Sequence, residues 1–366
     1  MSMNVLVVGA GLAGCTMARL LADAGHIVYI IEKEKEIGGI CRDVKDVTHN
    51  CYAHQFGPHI FHTDNERVWE FVNRFTHIRE YKLQQKSLSY GKFYDWPLNL
   101  NSLEMRFDTS NLTPDRAHRL MGLKYHGSEP TNFEEACIQD VGEELYRQFF
   151  YDYTKTQWQR EPKTLPISFY KRCPIRYNRE ADLFPDKFQG MPDEGYTQMM
   201  LNMLDHDNIF DYPETTFENY ISEVDETSLD LIVYTGGFEG LPYRSTMFNF
   251  AYEEHAYQYP VLSLPDHLVC TRKTNYSLFH PIDPKKDVRC QCVCYEMPQR
   301  DNQWNQLLPI PTEENIAKYN EVSTAFLKEH KNAMLVGRLA TYKYLDMDEV
   351  IEQCMAQVDY ITKHDK

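Results

Sequence analysis

Between Lys155 and Arg179 the chain sets Lys155, Arg160, Lys163, Lys171, Arg172, Arg176 and Arg179 against a single acid, Glu161. In a protein of formal net charge -16, that local inversion asks for a bound anion. A solvated basic helix face is the plainer explanation, but Pro162, Pro166 and Pro174 make much of the segment loop. Tyr153, Trp158, Phe169, Tyr170 and Tyr177 interleave with the cations. Guanidinium forks suit phosphates and aromatic faces suit a base, so the segment points to a nucleotide diphosphate. A second phosphate signal opens the chain, where Gly9-x-Gly11-x-x-Gly14 follows the apolar run NVLVV. Two glycines let the backbone turn and approach a pyrophosphate, the third lets strand and helix pack, and the helix N-terminus favours the anion. Glu32 stands about 20 residues beyond the turn, where a carboxylate accepts from a ribose hydroxyl.

The elements needed to position these groups are also legible. NVLVVGAGLAG predicts a buried strand, a tight turn and an amphipathic helix that runs through Ala24 and stops at Gly25, and HIVYIIE predicts the next strand. The alternating pattern then lapses and returns at LDLIVYTGGFEG (229–240), so the nucleotide domain is discontinuous. In between, Phe133, Ala136, Cys137, Val141, Leu145 and Phe149 fall at helical spacing and predict a helical core. KSLSYGKFYDWPLNL, FNFAYEEHAYQYPVLSL, HLVCTRKTNYSLFH and VRCQCVCYEMP predict strands of an antiparallel sheet. Thr312 is the expected N-cap of the next helix. A last helix, with Val350, Ile351, Cys354, Met355 and Val358 on one face, starts near 346–348. The expected class is α/β. A Rossmann-like dinucleotide domain (1–78, 190–245 and 312–366) carries an inserted helical bundle (100–170) and an antiparallel-sheet domain (79–99, 171–189 and 246–311).

Composition narrows the function. With 42% hydrophobic and 25% charged residues the chain is an ordinary globular protein, and its acidity argues against nucleic acid or an anionic membrane as partner. No apolar run approaches the roughly 20 residues that span a bilayer, and ten scattered cysteines fit reduced thiols in a cytoplasmic protein. Cys290, Cys292 and Cys294 lie two apart, which suits one face of a strand better than a metal site. His59 and His62, at i and i+3, also lack further ligands by spacing, so no metal is expected.

Gly38-Gly39, shortly after Glu32, resembles FAD-binding proteins of the glutathione-reductase and amine-oxidase kind; standing alone, the pair would be a surface loop. GAGLAG with IEKEKEIGG, HQFGPHIFHT, VGEELY followed by YTKTQW, CPIRY, DKFQGMPDEGYTQM and VGRLATYKYLDM together resemble the UDP-galactopyranose mutase family over nearly the whole chain. The resemblance implies interconversion of UDP-galactopyranose and UDP-galactofuranose by attack of reduced flavin N5 on the anomeric carbon, without net redox. It implies FAD in its reduced form, an external reductant such as NAD(P)H, a UDP-sugar substrate, a role in cell-surface glycan synthesis, and compatibility with a homodimer.

Residue by residue, the resemblance assigns Gly9, Gly11, Gly14, Glu32, Gly38, Gly39, His59, Arg338 and Met347 to the flavin. Tyr153, Trp158, Arg176, Arg272 and Tyr344 fall to the nucleotide sugar, and Arg176, Arg272, His62 and Asp346 to catalysis. The chain departs from the family at Leu183 and at Leu307-Leu308, where phenols are expected on the phosphates, each worth roughly 1.5–3 kcal/mol as a hydrogen bond to a charged group. The segment from Arg116 to Thr131 is also shorter than the family's helical insertion. These departures open the same chemistry on another nucleotide sugar, such as UDP-arabinopyranose. A flavin oxidase of the amine-oxidase type, sharing only the N-terminal motif, is the competing class, and a binding protein without turnover is a third.

Overall fold

Strand β1 (Asn4–Val8) is buried at Val5, Leu6 and Val7 because it is central in a parallel sheet with both faces covered. The sheet runs in the order 209–212, β2 (Ile27–Ile31), β1, 231–234, 333–335, every neighbouring pair parallel. A computed structural model describes residues 2–49, 51–123, 129–172, 175–254, 256–280 and 290–364. Of the sequence features above, Cys173, Pro174 and part of the 116–131 segment lie outside the described residues, as do the side chains of Lys171 and Arg172.

Helix α1 (Leu12–Asp23) crosses from β1 to β2 and packs against the helices Gly195–Leu204 and Met347–His364. Its close seat on the β1 turn requires Gly14, where a Cβ would stand 1.8 Å from the Gly9 carbonyl oxygen. The parallel sheet thus draws on three separated stretches of chain, as strands near residues 4–31, 209–234 and 333–335.

A second sheet has seven strands in the order 308–309, 243–253, 291–299, 272–275, 261–263, 85–89, 92–96. The sequence pattern led us to expect an antiparallel sheet. One pair breaks that rule: Val261–Ser263 runs parallel to Gln85–Ser89, because the 85–96 hairpin, made early in the chain, docks on the edge left by a much later strand. KSLSYGKFYDW is itself two strands, turned at Tyr90 and Gly91 with φ of 46° and 76°. That pair of positive φ values is the turn geometry that matches strand twist. A small three-stranded sheet (61–63, 188–192, 78–80) stands apart from the two larger sheets.

The helical segment (100–158) has its own core of Tyr94, Trp96, Leu103, Phe133, Cys137, Val141, Leu145, Tyr146 and Phe149. The helix Phe133–Leu145 is broken at Gly142 (φ 81°, ψ 158°) and continues through a wide π-type turn, 146–151, into Asp152–Trp158. Thr312 caps the helix Glu313–Glu329 by accepting from the Asn315 N–H. No described helix is long and apolar enough to cross a membrane.

Candidate active site

A cleft of about 770 Å3 opens at the carboxyl ends of β1 and β2, where ligands of open α/β sheets bind. Gly9, Gly11, Gly39 and Glu32 line its floor. The Glu32 carboxylate accepts from the Ala10 N–H at 2.8 Å and the Glu34 N–H at 3.0 Å, which fixes it at the strand end. Gly39 has φ 53°, and a Cβ there would stand 3.0 Å from the Gly11 Cα, so this crossing of two chain segments admits no side chain. Gly38 supports the crossing through a bridge to Gly11, and Gly14 acts in packing. Arg42 lines the same cleft with a buried Nε that has no hydrogen-bond partner among the described residues. Arg42 also pairs with Glu36 at 3.4 Å, so it is the Nε that is left over among the described residues; a glycine cradle, a fixed acid and that free N–H suit a bound dinucleotide. His59, Arg338, Asp346 and Met347 line the other end of the cleft.

Of the cations and aromatics predicted for a nucleotide sugar, Trp158, Tyr344, Arg272 and Tyr153 gather next to that end. Trp158 stacks on Phe169 with centroids 4.4 Å apart, Phe169 meets Tyr344 at 6.1 Å, and Arg338 lies over Tyr344 at 5.4 Å. Arg272 makes a two-pronged ion pair with the fully buried Glu296, at 2.7 and 2.8 Å. The pair packs close to Gly57, where a Cβ would stand 3.3 Å from Arg272 Nη2 and 3.6 Å from Glu296 Oε1. Tyr153 interacts electrostatically with Arg272. Arg176 donates to the carbonyls of Asp182 and Leu183, so Leu183, one of the departures, supports Arg176 through its backbone. His62 does not line the cleft. It stacks on Phe184 at 3.8 Å and lies 3.2 Å from Asp186, unaligned for a hydrogen bond.

Two members of this wall escaped the sequence. Arg244 lies over Trp158 at 5.5 Å, and its buried Nε has no hydrogen-bond partner among the described residues. Burial pulls its pKa down, partly opposed by Tyr344. A lone arginine in PYRST gives only a weak signal, since it adds to no charge cluster. Glu296 was hidden because its partner lies on a neighbouring strand and the pairing is set by sheet register. Leu308, the other departure, is the cross-strand partner of Arg244.

The histidines beside the cleft are held neutral. Burial, then the Arg338 charge, pushes His59 down to about 4; its Nδ1 pairs with the Gly57 carbonyl at 2.8 Å. With Nδ1 as donor, Nε2 is the ring's acceptor. His54 Nδ1 accepts the His59 backbone N–H at 3.0 Å, and burial lowers its pKa as well. Burial also takes His280 to about 4. Because the unfolded chain protonates these rings near pH 6.5 and the folded one does not, their contribution to stability is present above that pH and is lost as pH falls toward 4. We expect the thermal midpoint to fall steadily from pH 6.5 to 4.5. His54→Gln should flatten that slope; an unchanged slope would show that His54 is not held neutral.

A glycine-lined cleft at the carboxyl end of a parallel sheet, joined to a cationic, aromatic wall, defines a Rossmann-type α/β protein. The UDP-galactopyranose mutase family profile matches residues 148–344, and an NAD(P)-binding Rossmann-like profile matches 7–75. The dTDP-fucopyranose mutase of Escherichia coli is 36% identical over 380 residues, covering 99% of each chain. A Klebsiella pneumoniae protein described as "Probable UDP-galactopyranose mutase" is 34% identical, covering 97% of this chain and 94% of its own. The crystal structure of a reduced UDP-galactopyranose mutase superposes with a TM-score of 0.72 at 14% identity over 99% of this chain and 96% of that one, which speaks to fold. The chain belongs to the UDP-galactopyranose mutase family.

Proposed function

We propose that the protein interconverts the pyranose and furanose forms of a nucleotide-linked galactose-type sugar, UDP-galactopyranose first, with FAD bound in its reduced state. The observation that carries this reading is Arg244, a half-buried guanidinium whose buried Nε has no partner among the described residues, set over Trp158 in the wall that adjoins the dinucleotide cleft. Such a cation is stabilised by a diphosphate. When bound, reduced flavin supplies the nucleophile for the anomeric carbon, so ring contraction proceeds without net redox.

The chain's own residues bind and orient. Gly9, Gly11, Gly39 and Glu32 hold the dinucleotide, supported by Gly14 and Gly38, with His59, Arg338 and Met347 at its far end. Trp158, Phe169 and Tyr153 take the uracil side, and Arg176, Arg244, Arg272 and Tyr344 take the diphosphate. These cations stabilise the nucleotide as it leaves and keep it for return. Asp346, which lines the cleft, and His62, from the strand beside it, are the further candidates for catalysis. A cytoplasmic protein fits, with NAD(P)H as an outside reductant and a homodimer as its assembly.

A second reading is favoured by the 36% identity to the dTDP-fucopyranose mutase and by Leu183 and Leu308 in place of phenols. In that reading the same chemistry acts on a thymidine-linked deoxysugar. The oxidase class is not favoured, since L-amino-acid oxidases match only 61% of this chain at 24–25% identity. The test is chromatography of UDP-galactopyranose and, separately, dTDP-fucopyranose after incubation with the flavin-loaded protein, with and without dithionite. A furanose product from UDP-galactopyranose only under reduction upholds the first reading. Product from dTDP-fucopyranose alone moves the substrate to the second, and no product from either, with flavin bound and reduced, sinks both.

A further inference from the structure

Away from both nucleotide sites, the hairpin 43–54 meets the seven-stranded sheet through side chains that the proposed reaction does not use. Asp46 and Cys51 are cross-strand partners on the hairpin. Cys292, on the strand Gln291–Gln299, reaches them from the sheet. Their ligand atoms all lie within 4.8 Å of one another, and both thiols are buried at 2% exposure. The spacing of Cys290, Cys292 and Cys294 argued against a metal because no second ligand pair follows in sequence. The fold supplies that pair from other strands, and uses Cys292 alone of the three.

We propose that Asp46, Cys51 and Cys292 form a binding site for a thiolate-seeking divalent cation of the zinc type. Around a tetrahedral zinc with bonds near 2.3 Å, ligand atoms stand about 3.8 Å apart, so side-chain shifts of about an ångström or less close the site. Two sulfurs and one carboxylate, with the fourth position left for water, match the borderline-soft preference of zinc over magnesium or calcium. The carboxylate is already oriented as a ligating carboxylate is. His49 donates its backbone N–H to Asp46 Oδ1 at 3.0 Å, its ring Nδ1 lies 2.8 Å from Oδ2, and the Tyr252 hydroxyl donates to Oδ2 at 3.0 Å. The His49 ring stacks on Tyr252 at 4.1 Å, which locks both supports. Ser277 accepts the Cys292 N–H at 2.9 Å. A bound cation would tie the hairpin to the sheet just ahead of His54, which fixes the His59 backbone.

The test is zinc competition against a chromophoric chelator, using metal-free, thiol-reduced, flavin-loaded protein. The expected result is one zinc per chain in the wild type and in Cys290→Ser, and none in Cys51→Ser or Cys292→Ser. His49→Ala and Tyr252→Phe should weaken binding about 10- to 100-fold. Cobalt in place of zinc should give intense tetrahedral bands at wavelengths beyond the flavin absorption, lost in Cys292→Ser. Wild-type protein without stoichiometric zinc overturns the proposal even if the variants fail to fold. So does unchanged zinc in both serine variants, or a Cys51–Cys292 disulfide in protein kept under reductant.

Discussion

Replacing Arg244 with alanine is expected to lower turnover of the nucleotide sugar by roughly 10²-fold or more, while the flavin spectrum is unchanged and the thermal midpoint stays level or rises. Loss of activity and gain of stability come from the same atoms. The guanidinium is half-buried, with a buried Nε that finds no partner among the described residues, so in the free protein it is a partly desolvated charge whose removal relieves some cost. That cost is offset only when an anion arrives. The nucleotide diphosphate carries more charge as a leaving group than as part of the intact sugar phosphate, so the interaction strengthens as the glycosidic bond breaks. Alanine should therefore depress kcat at least as much as it raises KM. Arg244→Lys keeps the charge but loses the planar stack on Trp158, 5.5 Å away, and should recover only part of the rate. A large fall in thermal midpoint with near-normal turnover would make Arg244 a structural residue and remove the main support for a diphosphate in this wall.

The contrast between Arg244 and Glu32 shows what sequence could and could not supply. Glu32 sits at a fixed distance from a glycine turn because one strand, one helix and one strand intervene, and that geometry is local. Its two backbone partners, Ala10 and Glu34, follow from the same unit. Trp158 and Phe169 were legible because charge and aromatic density are local too, although their stacking was not. Arg244 depends on which strand lies beside Leu308, and Glu296 depends on the register of 272–275 against 291–299. Register is set by packing far along the chain. The parallel pairing of 261–263 with 85–89 was hidden for the same reason, since a strand segment has no mark that says which edge a distant hairpin will meet. His62 was linked to His59 by spacing, yet His62 sits in the strand Phe61–Thr63 and its ring goes to Phe184. Leu183 shows the converse case: its side chain departs from the family while its carbonyl still holds Arg176.

The largest stability effect is expected at the Arg272–Glu296 pair. Glu296 is fully buried and accepts from both Nε and Nη2 of Arg272, so without Arg272 it would be an uncompensated charge away from water, whereas Arg272, 22% exposed, would keep part of its hydration. Arg272→Ala should cost about 3–5 kcal/mol in urea unfolding, and Glu296→Ala less, because the arginine it strands is partly exposed. The double variant Arg272→Met/Glu296→Leu should recover most of that loss, because two apolar chains of similar volume replace two desolvated ions. It should not recover turnover, since the cation beside Gly57 is gone. The two readouts separate the roles that the pair combines. Glu296 has no free carboxylate edge toward substrate once both oxygens hold Arg272, so it acts as a positioning residue. Glu296→Gln keeps an acceptor for Nε but halves the fork, and the expected outcome is a folded protein with turnover reduced about 10-fold or more, since one charge-assisted bond of about 1.5–3 kcal/mol is lost. Single variants that each cost under about 1 kcal/mol would mean that water reaches the pair. A double variant with normal turnover would take Arg272 out of the reaction and leave the diphosphate to Arg176 and Arg244.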